Sequence, residues 1–261
     1  MLPDTAEHAA QRRALHERLD AVGLTHRRDA LDAVLKPAIA LHTRDATPSD
    51  VAVGATRVGG EPDLPPSVPW PTGEEGPLLF VLQVDLAQAA PLDLEQRLPP
   101  DGLLLVFTDR WAQDVRVLHV AAGEPLERRG WAPTIRGPYV ARGVDLRGEL
   151  QPPPPDSAFV GDETAIVELD SDEHDAWWDD VWLDWRERSR PGAAGECGIH
   201  QLLGYTAAER HEEQGADEEV VVGFDSDDRA DMQWGDVHTV WVLLSQSDLA
   251  ARAWDRVRAA M

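Results

Sequence analysis

"VGGEPDLPPSVPWP", Val58–Pro71, is followed within a few residues by "LLFVLQVDL", Leu78–Leu86. Five prolines and two glycines fall in the first fourteen residues, around a single tryptophan. Gly59-Gly60 admits a turn that residues with a Cβ atom resist, and Pro62 pushes Glu61 into extended geometry. Pro65, Pro66, Pro69 and Pro71 cannot donate to a ladder, so this path is not a central strand. Trp70, between two prolines, is held in place with little freedom left to lose. Leu78–Leu86 is the opposite case, a near-continuous apolar run that suits a strand buried on both faces. Together they read as a pinned loop beside a sheet. Trp70 is then a wedge in that scaffold or the wall of a groove.

Further strands are expected at Ala38–His42, Val51–Arg57, Gly102–Phe107, Val115–Ala121, Thr164–Leu169, Glu219–Phe224 and Val237–Leu244. Between Glu124 and Asp156 the chain is rich in Pro, Gly and Arg and ends in Pro152–Pro155, which reads as a connector. Helices are expected at Asp4–Val22, with Asp4 or Thr5 as its cap, at His26–Leu35, and from Asp248 to the end. The clearest is Ser171–Arg188, capped by Ser171 and stopped by Pro191-Gly192. It places Trp178, Val181, Trp182 and Trp185 at i, i+3, i+4 and i+7. Each buried tryptophan removes roughly 150–250 Å² from water, about 4–6 kcal/mol before ordering costs, which is ample for docking. Trp177 lies beside that stripe. With Asp179 and Asp180 it is the candidate for a partner-facing surface.

At 261 residues, 43% of them hydrophobic, the chain can bury a substantial core as one domain. No apolar run approaches the roughly 18 residues of a membrane helix, and the first residues lack the apolar core of a secretory signal. Cys197 is the single cysteine, so no intrachain disulfide forms. These features point to a cytoplasmic protein. The formal charge of −24, from 48 acidic and 24 basic residues, repels phosphate backbones and anionic lipid. It argues against nucleic-acid and membrane partners and favours a basic protein partner. Lys36 is the only lysine.

The order of blocks carries a family resemblance. "VGGEPDLPPSVPWP", "LLFVLQVDLAQ" and "LPPDGLLLVF" are followed by "GIHQLLGYT", "VVVGFDSD" and "WGDVHTVWVLLSQSDLAARAWDRV". This resembles the YwqG-like family of bacterial proteins, whose function is unknown. The resemblance implies an α+β fold with mixed β-sheets and an internal duplication of a sheet unit, here flanked by N-terminal, central and C-terminal helices. The duplicated halves fall at about 51–110 and 198–257, joined by a Pro/Gly-rich and Trp-rich insertion at 111–197. Val58–Pro62 is echoed by Leu202–Thr206, and Leu82–Asp85 by Val222–Asp225. Gly223 stands where the first half has Gln83, so a polar role of Gln83 has no counterpart and a symmetric two-site function does not follow.

Motifs for specific chemistry are incomplete. Asp225–Asp236 has carboxylates at calcium-loop positions 1, 3 and 12, but Arg229 and Ala230 occupy positions 5 and 6. Cys197-x-x-His200 lacks a second ligand pair, and "HEEQG" at His211 is not a zinc helix. No G-x-S-x-G elbow or phosphate loop is present. No catalytic residue, metal site or cofactor is therefore expected. The leading expectation is a non-catalytic cytoplasmic binding protein, in one concrete form an immunity- or antitoxin-like protein whose acidic face covers a basic toxin. The alternative is a small-ligand protein or enzyme with a groove between the halves, lined by Trp70, Gln83, Asp85, His200, Gln201 and Trp234.

Overall fold

The apolar run after the proline-rich loop becomes β6 (Leu79–Asp85), buried along almost its whole length inside a ten-stranded antiparallel sheet. A computed structural model describes residues 5–44, 51–131, 139–157, 159–160, 166–188, 200–206, 214–215, 217–236 and 238–261. From one edge, the sheet runs β14 (Arg258–Ala260), β13 (Thr239–Ser245), β12 (Glu218–Asp225), β11 (His200–Leu203) and β1 (Lys36–Arg44). It continues with β10 (Arg142–Gln151), β2 (Arg57–Val58), β6, β7 (Leu103–Thr108) and β8 (Val115–Val120). The short pairs β3 (Asp63–Leu64) with β9 (Glu127–Arg128), and β4 (Thr72–Gly73) with β5 (Gly76–Pro77), lie outside it. The α+β class stands, but these strands pair antiparallel throughout rather than in mixed sheets. A hairpin turn joins β7 to β8, whereas the path from β10 to β11, the two strands that flank β1, runs through the helical segment Ser171–Arg188.

Alternate side chains from both edges point to one interior. Val115 and Val117 of β8, Val84 and Leu82 of β6, Ile39 and Leu41 of β1, and Val222, Phe224, Val240 and Val242 share one apolar cluster. The 3-10 turn Trp254–Arg256 packs against β8, so the far edges of the sheet meet and the sheet curls into a nearly closed barrel. Strands on either side of the central β1–β10 pair match in detail. Both β6 and β12 bulge one residue before Leu82 and Val222, respectively. Two successive left-handed residues end both β2 and β11: Gly59 and Gly60 (φ 67° and 74°), and Leu203 and Gly204 (φ 60° and 78°). A Cβ on Gly59 would sit 2.4 Å from the Val140 carbonyl oxygen, so this turn depends on glycine.

Helices α1 (Ala6–Ala21) and α2 (Arg28–Val34) cover part of the sheet, with Thr5 as the α1 cap. Gln11 of α1 acts as a substitute strand: its Nε2 donates to the Gly148 carbonyl, and its Oε1 accepts from the Leu150 N–H. Leu15, Leu19, Leu31 and Val34 then pack with Leu150, Trp177, Val181, Trp182 and Trp185 as a second core. The tryptophan segment starts as α4 (Ser171–Ala176), capped by Asp170 rather than Ser171 through a capping box with Glu173. It turns π-helical over Trp177–Leu183 and ends as α5 (Asp184–Arg188). The wider π turn moves Trp177 onto the buried face. Trp177 is fully buried and donates from Nε1 to the Pro153 carbonyl at 3.0 Å, so it is not a partner surface. Asp179 and Asp180 are exposed.

Other expectations are revised. Strand β10 runs through the span read as a connector, because "RGVDLRGELQ" hides its alternation behind glycines, with Arg44 and His8 packed against the backbone at Gly143 and Gly148. Val51–Arg57 is mostly turn, with only Arg57 in a strand. The expected closing helix is instead the short α6 (Gln246–Ala250), the 3-10 turn and β14. Of Thr164–Leu169, Val167 makes a single bridge to Val160. Thr164 and Ala165, like Pro191-Gly192, Cys197, His211 and Asp4, lie outside the described residues. Among the described residues no helix is long and apolar enough to cross a membrane.

Candidate functional site

The proline-rich loop is a scaffold. Trp70 donates from Nε1 to the Leu78 carbonyl at 2.9 Å and meets Phe107 and Trp131 edge-on, at 5.8 and 5.7 Å between ring centroids. It closes a core of Leu64, Leu78, Phe80, Leu105 and Phe107 on the outer face of the sheet. Beneath the same loop lies a buried ion network. The Asp63 carboxylate accepts from Arg57 Nη1, Gln83 Nε2 and the Gly54 N–H, each at 2.8 Å, and from Arg128 Nε at 3.1 Å. Gln83 closes the ring by accepting from the Asp63 N–H and donating to the Ala55 carbonyl. Burial pushes the Asp63 carboxyl up, but the hydrogen bonds from Arg57 and Arg128, with the Arg57 charge, outweigh it and hold the group below its ordinary range.

In the second half Trp241 covers the place of Gln83. Gly223 pairs with Trp241 as Gln83 pairs with Leu105, and a Cβ on Gly223 would lie 2.3 Å from the Trp241 ring. His200 and Asp227 are both fully buried there. His200 Nδ1 accepts from the Asp225 N–H at 3.2 Å, so Nε2 carries the proton and faces Asp227 Oδ2 at 3.4 Å. Asp227 also caps the 3-10 turn Asp228–Ala230 through the Arg229 and Ala230 N–H groups. Burial raises its carboxyl, and the hydrogen bonds from His200 and from these N–H groups bring it below the usual range. A buried, fully engaged Asp227 removes the calcium reading of Asp225–Asp236. Among the described residues no group of three or more His, Cys, Asp or Glu side chains is placed to hold a metal.

The six groove candidates are dispersed. Gln83 and Trp70 belong to the first network and loop, and Asp85 caps the short helix α3 (Leu86–Ala89) through the Ala87 N–H. Gln201 is buried against Gln151 and the carbonyls of Leu203 and Tyr205. Trp234 packs on Phe224 and Tyr139. Strands β1 and β10 separate the two sets, because each of these polar groups satisfies its own half of the sheet. The void beside Gln201, between Trp182, Trp185 and Tyr205, is about 20 Å³, enough for a water and no more.

A groove opens at one end of the barrel, lined by other residues. Its volume is about 1220 Å³. One wall is the β7–β8 turn, Asp109–Asp114, with the β4–β5 hairpin; the other is the loop Asp231–Gly235, and Tyr139 lies between them. The first wall is rigid: Asp109 Oδ1 accepts from the Gln113 and Asp114 N–H groups, and Asp114 Oδ2 accepts from the Glu74 N–H. Trp111 projects from this turn with 51% of its surface exposed, and the Arg110 guanidinium lies 4.3 Å over its ring. On the second wall, Asp231 takes a left-handed conformation (φ 52°) after the turn that Asp227 caps. Glu74, Glu75, Asp109, Asp114 and Asp231 line the groove against Arg110 and Arg116, and Arg116 is already paired with Asp114 at 2.5 Å. The one sequence signal for this site is a tryptophan in a polar hairpin turn, "DRWAQD".

A family model described as a domain of unknown function (DUF1963) matches residues 56–261, and the chain belongs to that family. The blocks that carry the YwqG-like resemblance, Val58–Phe107 and Gly198–Val257, fall inside the match and are compatible with it. A search of curated proteins gives no match.

Proposed function

We propose that this protein is a non-catalytic cytoplasmic binding protein whose site is the acidic groove, and that its partner is a basic protein segment. The carrying observation is Trp111, an exposed aromatic presented by a rigid turn amid an excess of carboxylates in a chain of charge −24. Exposed aromatics at the centre of a charged rim are the usual anchors of protein interfaces. An immunity- or antitoxin-like role is the concrete form of this reading. A small molecule is the second reading, but ligand pockets usually span about 300–1,000 Å³, and this groove is larger, at about 1220 Å³.

We also infer that the two halves arose by duplication of a four-strand unit. The matching bulges, the left-handed pairs and the Asp85 and Asp225 N–H bonds to Thr56 Oγ1 and His200 Nδ1 support this. On this reading the counterpart of the groove lies at the other barrel end, around Arg97 and Arg252. There Arg97 pairs with Glu219 at 3.1 Å, and Arg252 donates to the Arg97 carbonyl. One site per chain is therefore expected. Titration calorimetry with an unstructured Arg/Gly peptide should give saturable binding that tightens at low salt. It should vanish in the variant Glu74→Gln/Glu75→Gln/Asp231→Asn. Absence of saturable binding at low salt overturns the reading.

A further inference from the structure

We propose that the Trp111 face is a guanidinium seat, filled in the free protein by Arg110 and taken over by an arginine of the basic partner. This rests on the groove reading above and goes further, because it names the side chain that is recognised. Arg110 is exposed, and among the described residues its guanidinium makes no hydrogen bond or ion pair; its contact is the indole ring, at 4.3 Å. The neighbouring Arg116 is held by Asp114. Glu74, Glu75 and Asp231 also have no ion-pair partner among the described residues, although they line the same groove. A cation parked on an aromatic face while nearby carboxylates stay uncompensated is a self-occupied site. The carboxylates complete it only when a second cation arrives.

Arginine fits this seat better than lysine. Its planar, weakly hydrated guanidinium stacks on indole and still offers its edge as a fork to carboxylates, whereas an ammonium is a compact, strongly hydrated point charge. Displacing Arg110 breaks only the ring contact. Because the Asp109 hydrogen bonds fix the turn, Trp111 need not be ordered on binding, and little affinity is lost to rearrangement.

The test is titration calorimetry of the full chain with three peptides: Arg/Gly, its Lys/Gly counterpart and its citrulline/Gly counterpart. The wild type should bind the arginine peptide about 2–5-fold tighter than the lysine peptide, and the citrulline peptide weakest. Trp111→Ala should erase the arginine preference while leaving lysine-peptide binding within twofold. Arg110→Ala should increase that preference, since only a ligand that uses the ring has to displace Arg110. Both side chains are exposed, and unchanged far-UV circular dichroism with an unchanged urea midpoint checks folding. An arginine preference that survives Trp111→Ala, or that is unchanged in Arg110→Ala, overturns the seat while leaving the groove reading intact. If none of the peptides binds, the groove reading falls and the seat with it.

Discussion

Replacing Asp63 by Asn removes one charge from a site with no access to water. Asp63 is 0% exposed and Arg57 1%, and the carboxylate accepts four hydrogen bonds, two of them from guanidiniums. An asparagine keeps one acceptor oxygen and turns an NH₂ group towards donors that need acceptors. It also leaves Arg57 charged and buried without its carboxylate, with Nη2 still donating to the Glu61 carbonyl. Breaking one side of such a buried pair costs about 3–5 kcal/mol, a large share of the roughly 5–15 kcal/mol that holds a domain folded. Urea denaturation at pH 7 should therefore show a lower midpoint with an unchanged slope.

The effect also has a sign in pH. The folded carboxyl titrates below its unfolded value of about 3.9, so its stabilisation is complete above that value and fades as pH falls through the folded one. The gap between wild type and Asp63→Asn should hold from pH 7 to about pH 5 and narrow below about pH 4. A loss under about 1 kcal/mol at pH 7, or a gap that stays constant in acid, would refute the argument that this pair clamps the loop to the sheet.

Two further outcomes test the packing. Gly223→Gln should destabilise by about 1–3 kcal/mol through collision with Trp241. Adding Trp241→Leu, the residue type that pairs with Gln83 in the first half, should restore part of the loss, and a double-mutant cycle in urea reads that coupling. Trp70→Ala should cost about 2–4 kcal/mol by opening the outer core, with no change in Arg/Gly-peptide affinity beyond its effect on folding. An affinity loss in a folded Trp70→Ala protein would return Trp70 to a binding surface.

The buried strands were legible because each is a near-continuous apolar run: Leu78–Leu86, Leu103–Phe107, Val220–Phe224 and Val240–Leu244 all lie in strands or directly abut them. Strand β10 was not, since Gly143 and Gly148 serve side chains packed from other elements and weaken its own alternation. Helical spacing also misplaced Trp177: a pattern counted at 3.6 residues per turn cannot register a π segment. Trp254 and Val257 have helical spacing yet belong to a 3-10 turn and the residue after it. Trp70 could be read as a wedge from its flanking prolines alone. The groove could not be assembled, because Glu74, Trp111 and Asp231 come from three loops that meet only when the barrel curls.

The lone lysine has a practical consequence. Lys36 Nζ lies 4.8 Å from the Tyr205 ring, 5.0 Å from the Phe159 ring and 3.5 Å from Glu219 Oε2, and the side chain is only 21% exposed. Amine-directed cross-linkers and biotin esters have no other lysine to react with, and this one sits on the side of the barrel away from the groove. Fixing a bound partner in place calls for the opposite chemistry: carbodiimide activation of Glu74 and Glu75, so that the lysines of the incoming chain form the amide bond.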